Sequence, residues 1–312
     1  MVDFQAEFKT FDEKIKLTES KKASMRISRN AIKKKIINYF KNDLEITAPI
    51  FTTQGSFVIN TALNPIEDEE VDMDYGVYLQ DQSENEEDWI TPRKAHKRII
   101  DALEGHTQDE CISKTSCVRV LYRNFYHLDL PVYIMKNNKA FLAQTECNEW
   151  INSDSKEFRN WFYENRNDVK LSKMVRFIKA WRDFTKTEMT SIEITILTVN
   201  CFKNERERED LVLYDTVANI YDEILISRKV EKPVSPFEDL WENYSEDKKD
   251  EIIEMVKQFR DDLNIALSNT SNHRGSVILR EVFGERFPLK KDEENAERYR
   301  QQLRSGVKPW GV

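Results

Sequence analysis

Glycine and proline are scarce in this chain, 7 and 8 among 312 residues, which excludes collagen-like and low-complexity architectures. Cysteine is scarcer still. Cys111, Cys117, Cys147 and Cys201 form no CxxC pair and have no histidine at zinc spacing, so buried or half-buried free thiols are expected rather than a structural metal. No run approaches the roughly 20 apolar residues of a membrane span. The opening "MVDFQAEFKTFDEKIK" scatters charges where a signal peptide would carry an apolar core. A cytoplasmic protein with no membrane partner is expected. Positive charge is also in deficit, 48 Lys and Arg against 56 Asp and Glu for a net charge of -8. That balance argues against a protein whose main task is coating nucleic acid, while a local basic pocket for small anions is still allowed.

What is present is the texture of a helix-rich soluble protein, 39% apolar and 33% charged, long enough for two packed lobes. Phe4, Phe8, Phe11 and Ile15 recur at helical spacing, as do Ile32, Ile36 and Phe40, so residues 4–43 predict one long amphipathic helix or two in series. The segment "ITAPIFTTQGSF" predicts a short strand entering a Gly-Ser turn. The run "VDMDYGVYL" then alternates with period two, placing Asp72, Asp74 and Gly76 on one face of a strand and Val71, Met73 and Tyr75 on the other. In "TPRKAHKRIIDALEGH", Pro92 and Gly105 mark the start and stop of a helix. Strands are predicted again in "SCVRVLYRN" and "FYHLDLPVYIM", the second setting Asp129 among Leu128, Leu130, Val132 and Tyr133.

From about residue 150 onward the spacing turns helical, and Trp150, Trp161 and Trp181 are expected at buried helix positions. His96, His106 and His273 read as surface residues. His127, two positions before Asp129, reads as a hydrogen-bonded structural imidazole.

Alternating aspartates on a wet strand face mean little alone. Here fifteen residues separate them from Gly55 and Ser56, and Asp129 stands on an apolar strand where an unpaired carboxylate costs several kcal/mol. Three converging carboxylates repel one another, and divalent cations are the simplest relief.

"QGSF" followed by "VDMDYGVYL" and a lone Asp in "YHLDLPVY" resembles the DNA-polymerase-β-like nucleotidyltransferase superfamily, and within it the bacterial cGAS/DncV-like nucleotidyltransferases (CD-NTases). "EWINSDSKEFRNWF", "LSKMVRFIKAWRDF" with "TSIEITIL", and "ILREVFGERFP" resemble helical-lobe segments of the same enzymes, so the likeness spans roughly residues 50 to 290. The resemblance implies an α+β, two-lobed polymerase-β-like fold: a nucleotidyltransferase core with a long N-terminal helix over 1–160, and a helical lobe with a flexible tail over 161–312. It implies that nucleoside triphosphates, ATP and GTP, are joined into a cyclic oligonucleotide, a cyclic dinucleotide, as an anti-phage signal.

By the same resemblance Asp72, Asp74 and Asp129 are the catalytic metal ligands, for Mg²⁺ with Mn²⁺ as an alternative. Gly55 and Ser56 cradle the donor phosphates. Lys173 and Ser191 bind the triphosphate from the helical lobe, with Arg176 and Lys179 as rivals to Lys173. A monomer is expected, with no nucleic-acid activator, since the zinc insertion and basic faces of the metazoan DNA sensors are missing; regulatory proteins of a defence operon are the expected partners. The tail "RSGVKPWGV", with Trp310, is compatible with covalent joining to another protein. Transfer to another acceptor (an RNA end, a linear oligonucleotide or a protein), or a silent nucleotide-binding module, are the alternatives.

Overall fold

The computed structural model describes residues 2–66, 70–122, 126–153, 155–166 and 168–292. They fall into two compact units: a sheet unit of residues 16–176 and 229–243, and a helical unit of residues 1–15, 177–228 and 244 onward. These bounds differ from the expected break at 160/161, because the first fifteen residues pack with the helical unit and a helix runs across the border. The tail from 304, including Trp310, lies outside the described residues.

The N-terminal stretch forms two helices, α1 (Gln5–Ile15) and α2 (Glu19–Asn38). Thr18 separates them in extended conformation and caps α2, its side chain accepting from the Lys21 backbone N–H. In the helical unit, Phe8 of α1 meets Phe177, Phe283 and Phe287 with ring centroids 5.1–5.8 Å apart. The backbone N–H of Phe4 donates to the buried carboxylate of Asp210 at 2.9 Å. Those contacts explain why the first helix belongs with this unit.

The sheet unit is built from β1 (Ile50–Thr53), the single-turn helix α3 (Gly55–Val58), β2 (Val71–Leu79), α4 (Pro92–Ala102), β3 (Ile112–Ser113), β4 (Val118–Tyr122), β5 (Tyr126–Leu130), β6 (Val132–Lys136), β7 (Lys139–Gln144), β8 (Glu149–Asn152) and α5 (Ser155–Asn165). Strand order is β3-β4-β5-β2-β6-β7-β8, with β1 antiparallel on β2. Strands β5 and β6 are interrupted by Pro131, which has no N–H to give a ladder; its carbonyl accepts from Val77 at 2.8 Å. Both run parallel to β2, β5 along its first half and β6 along its last three residues. On one side of β2, Val71, Met73, Tyr75, Val77 and Leu79 enter a core with Ile32 and Ile36 of α2, Ile99 of α4 and Leu128 of β5.

Helices α6 (Val169–Thr185), α7 (Ser191–Cys201), α8 (Glu209–Ser227), α9 (Glu246–Ser268) and α10 (Asn272–Phe283) complete the described fold. Among them, Trp181 stacks on Phe259 at 4.6 Å. No described helix is long and apolar enough to cross a membrane.

Several expectations are corrected. Residues 139–152 form the hairpin β7–β8, so Trp150 stands half-buried on a strand, not in a helix; its indole N–H donates to the Ile90 carbonyl at 2.8 Å. Trp161 is half-buried on α5, and Trp181 is buried as expected. His96 is 1% exposed, because it falls on the core-facing stripe of α4 with Ala95, Ile99 and Ala102. Burial pushes its pKa down to about 4, so it stays neutral, with Nδ1 3.0 Å from the Ser113 hydroxyl. All four thiols are free, and Cys147 is exposed, unlike the buried Cys117 and Cys201. Truncating Phe8 to Ala is expected to destabilise the protein by about 3–5 kcal/mol, measured as a shift of the denaturant midpoint at unchanged slope.

Candidate active site

Strand β2 carries the site because its two faces do different work. Opposite the core face, Asp72, Asp74, Gly76 and Tyr78 alternate along one side. Parallel pairing with β5 sets Asp74 beside Asp129 and Asp72 beside His127. The three aspartates of the sequence pattern therefore meet at one end of the sheet. Asp72 is exposed, Asp74 half-buried and Asp129 buried.

Burial, then the charges of Asp129 and Asp72, push the Asp74 carboxyl up to about 6. Asp129 is paired with Arg119, the residue opposite it on β4, whose Nε and Nη2 donate to Oδ1 and Oδ2 at 2.8 Å each. His127 is the second partner of these carboxylates. Its Nε2 lies 2.6 Å from Asp72 Oδ1, and Nδ1 lies 3.0 Å from Glu70 Oε2. Burial pulls the imidazole pKa down, but the bonds to Asp72 and Glu70 outweigh it and the net shift is upward. The buried Cys117 thiol is pushed up to about 12 by burial and then by Asp129, so it remains protonated at neutral pH beside that carboxylate.

The Gly-Ser turn lies directly against Asp74. Gly55 has φ +64°, in the left-handed region, and a Cβ placed there would stand 1.9 Å from Asp74 Oδ2. Only glycine satisfies both demands. The Gln54 backbone N–H donates to the Asp74 carbonyl at 2.9 Å, tying the turn to the strand. Behind it, the Ser172 hydroxyl donates to the Ile59 carbonyl at 3.3 Å, and Arg176 donates to the Asn60 carbonyl.

The donor set is oxygen-rich and over-charged, with Asp74 buried against the charges of Asp129 and Asp72, so the residues fit a hard divalent ion. Among the described residues no three of His, Cys, Asp and Glu already stand at metal-site spacing.

The family model for the nucleotidyltransferase domain of DncV-like cyclic GMP-AMP synthases matches residues 49–133, and that for the cyclic GMP-AMP synthase C-terminal domain matches residues 168–294. The chain belongs to the DncV-like nucleotidyltransferases. It is 29% identical to a c-di-GMP synthase of Roseivirga ehrenbergii, over 38% of this chain and 32% of that protein. It is 25% identical to the cyclic GMP-AMP synthase of Vibrio cholerae, over 62% of this chain and 57% of that one. The chain thus spans about a third and somewhat over half of the lengths of these two relatives. The GTP-bound structure of Vibrio cholerae DncV shares the fold, with a TM-score of 0.73 at 19% identity, covering 92% of this chain and 96% of that one.

The remaining site expectations land less uniformly. Ser56 is half-buried in α3, beside Gly55. Lys173, on the part of α6 in the sheet unit, is half-buried, whereas its rivals Arg176 and Lys179 are both buried. Ser191 is the first residue of α7 in the helical unit, its hydroxyl accepting from Arg182 Nη2 at 3.3 Å. Sequence reasoning missed Arg119 and Gln54.

A carboxyl whose folded pKa is raised holds its proton better in the folded state. The stability from Asp74 is therefore full below about pH 4 and lost as pH rises through about 6, where ionisation costs on the order of 3 kcal/mol. Asp74→Asn is expected to raise the melting temperature of EDTA-treated protein by several degrees at about pH 7.5 and far less near pH 4.5, measured by differential scanning fluorimetry.

Proposed function

We propose that this chain joins nucleoside triphosphates into a cyclic dinucleotide, attaching a ribose hydroxyl of one nucleotide to the α-phosphorus of another with loss of pyrophosphate. The observation that carries it is the β2–β5 register, which brings Asp72, Asp74 and Asp129 together beneath the Gly55 turn. Asp72 and Asp74 would hold divalent cations, Mg²⁺ or Mn²⁺, with Asp129 completing the acceptor side. Such ions, when bound, neutralise triphosphate charge and lower the pKa of an attacking hydroxyl.

The protein's own part is alignment. Gly55, lacking a side chain, lets a phosphate approach the backbone beside Asp74, and Ser56 offers its hydroxyl to the same group. Lys173 and Ser191 are the candidates for the donor's outer phosphates. Asp129, pinned by Arg119, accepts charge-assisted hydrogen bonds in a fixed orientation, which limits the reorganisation needed as charge moves toward the leaving group. Most of the rate then comes from positioning and electrostatics, as is general for this chemistry.

The names of the relatives, a c-di-GMP synthase and a cyclic GMP-AMP synthase, support purine nucleotides as substrates. The family resemblance by itself is what suggests a signalling product made in the cytoplasm, in anti-phage defence, by a monomer under regulatory proteins and independent of DNA.

Purified protein incubated with the four NTPs, each labelled in turn, and Mg²⁺ is expected to give a phosphatase-resistant product containing at least one purine. Label found on RNA or on protein would replace this reading with a different acceptor, and no turnover in any mixture would favour a silent module. Combining Asp72→Asn with Asp74→Asn is expected to bring product below detection with the circular-dichroism spectrum unchanged; retained synthesis would refute the assignment of the two carboxylates.

A further inference from the structure

The residue before the Gly-Ser turn is more deeply buried than its polarity warrants. Gln54 is 2% exposed. Its Nε2 donates to the Tyr78 hydroxyl at 2.7 Å, and its Oε1 accepts from the Tyr133 hydroxyl at 3.2 Å. The Tyr133 oxygen also lies 2.8 Å from the Ser155 hydroxyl. The two tyrosine rings, on adjacent strands β2 and β6 at paired positions, stack at 4.7 Å with an interplanar angle of 13°. Lys156 Nζ sits 3.7 Å above the Tyr78 ring. With Ala140 and Leu142 these rings form a small apolar island separate from the main core of the sheet unit.

Space for the amide comes from Gly76. A Cβ there would stand 2.3 Å from Gln54 Nε2 and 2.8 Å from its Cδ. One face of β2 thus reads as a sequence of tasks. Asp72 and Asp74 face the reaction, Asp74 packs against Gly55, Gly76 leaves a gap for Gln54, and Tyr78 closes the gap with its hydroxyl.

Packing alone would be served by phenylalanine at positions 78 and 133. The hydroxyls instead give each end of the Gln54 amide a hydrogen-bond partner, in a buried place where an unmet bond is costly. With its side chain held at both ends and its N–H on the Asp74 carbonyl, residue 54 has little freedom left, and Gly55 and Ser56 follow it directly in the chain.

We propose that Gln54, locked by Tyr78 and Tyr133 across the gap at Gly76, is a positioning residue that presets the Gly55–Ser56 turn for the triphosphate of the donor nucleotide. The inference rests on the proposed function for its ligand. A turn already in its bound shape pays no ordering cost when the nucleotide arrives, and it grips ground state and transition state alike. Loosening it raises KM and leaves kcat nearly untouched.

The test measures steady-state KM and kcat for NTP, the affinity of a nonhydrolysable GTP analogue with Mg²⁺ by calorimetry, and the melting temperature, for the native chain, Tyr78→Phe, Tyr133→Phe and Gly76→Ala. The expected result is a KM and an analogue Kd raised about tenfold in each variant with kcat within about twofold. Gly76→Ala disturbs Gln54 by crowding its Nε2 and leaves both tyrosine hydroxyls in place, so it stands in should either tyrosine variant fold poorly. Combining Gln54→Leu with Tyr78→Phe is expected to weaken the analogue less than the two single effects together, since the pair is removed jointly. A lowered melting temperature with KM and analogue affinity unchanged would show a role in folding only and overturn the proposal. Absence of cyclic product from the native chain would overturn the proposed reaction instead, with analogue affinity still deciding whether the turn is preset. If the native chain does not bind the analogue at all, both readings fall.

Discussion

Three carboxylates sharing one end of a sheet repel one another, and the residues around them in the sheet unit are disposed against that repulsion. Arg119 takes both oxygens of Asp129, His127 stands against Asp72, and Asp74 is left to carry the strain as a raised pKa. A sheet that needed only stability would not gather these groups; hydrophobic residues in the same places would pack without the penalty of buried charge. The concentration of perturbed titration at one point is itself an indicator of a working site. Gly55 shows the same priority, since its left-handed backbone and its closeness to Asp74 exclude every larger residue.

The core of this arrangement was legible before the structure because strand alternation is a strict rule. "VDMDYGVYL" could face only two ways, and the apolar half had to be inside, so Asp72, Asp74 and Gly76 were bound to emerge together. Asp129 stood out as a charge in an apolar strand. Arg119 did not, since its pairing with Asp129 depends on the register of β4 on β5, which no single segment encodes. Gln54 looked like one more polar turn residue, and only the gap at Gly76 reveals why it is buried.

Elsewhere the signals were weaker or were passed over. The hairpin joining β6 to β7 turns on Asn137 and Asn138, at φ 50° and 59°, the conformation that two-residue hairpin turns favour; "KNNK" was a readable cue for the strands that follow. "TSIE" likewise announces α7, where Thr190 and Glu193 form a reciprocal cap. His96 was misplaced because its charged neighbours suggested solvent, while the helical stripe to which it belongs points inward. The helical unit's debt to the first fifteen residues depends on Phe8 and its distant aromatic partners, contacts that composition cannot reveal.

The pairing of β2 with β5 has a further consequence for how the gene can change. Each side chain from Val71 to Asp74 owes its direction to its count along the strand. Many point substitutions on this stretch alter one group and spare its neighbours. Deleting or inserting a single codon there would turn the strand inside out, sending Met73 toward water and a carboxylate toward Ile99 and Leu128. Length, more than composition, is what this segment must keep.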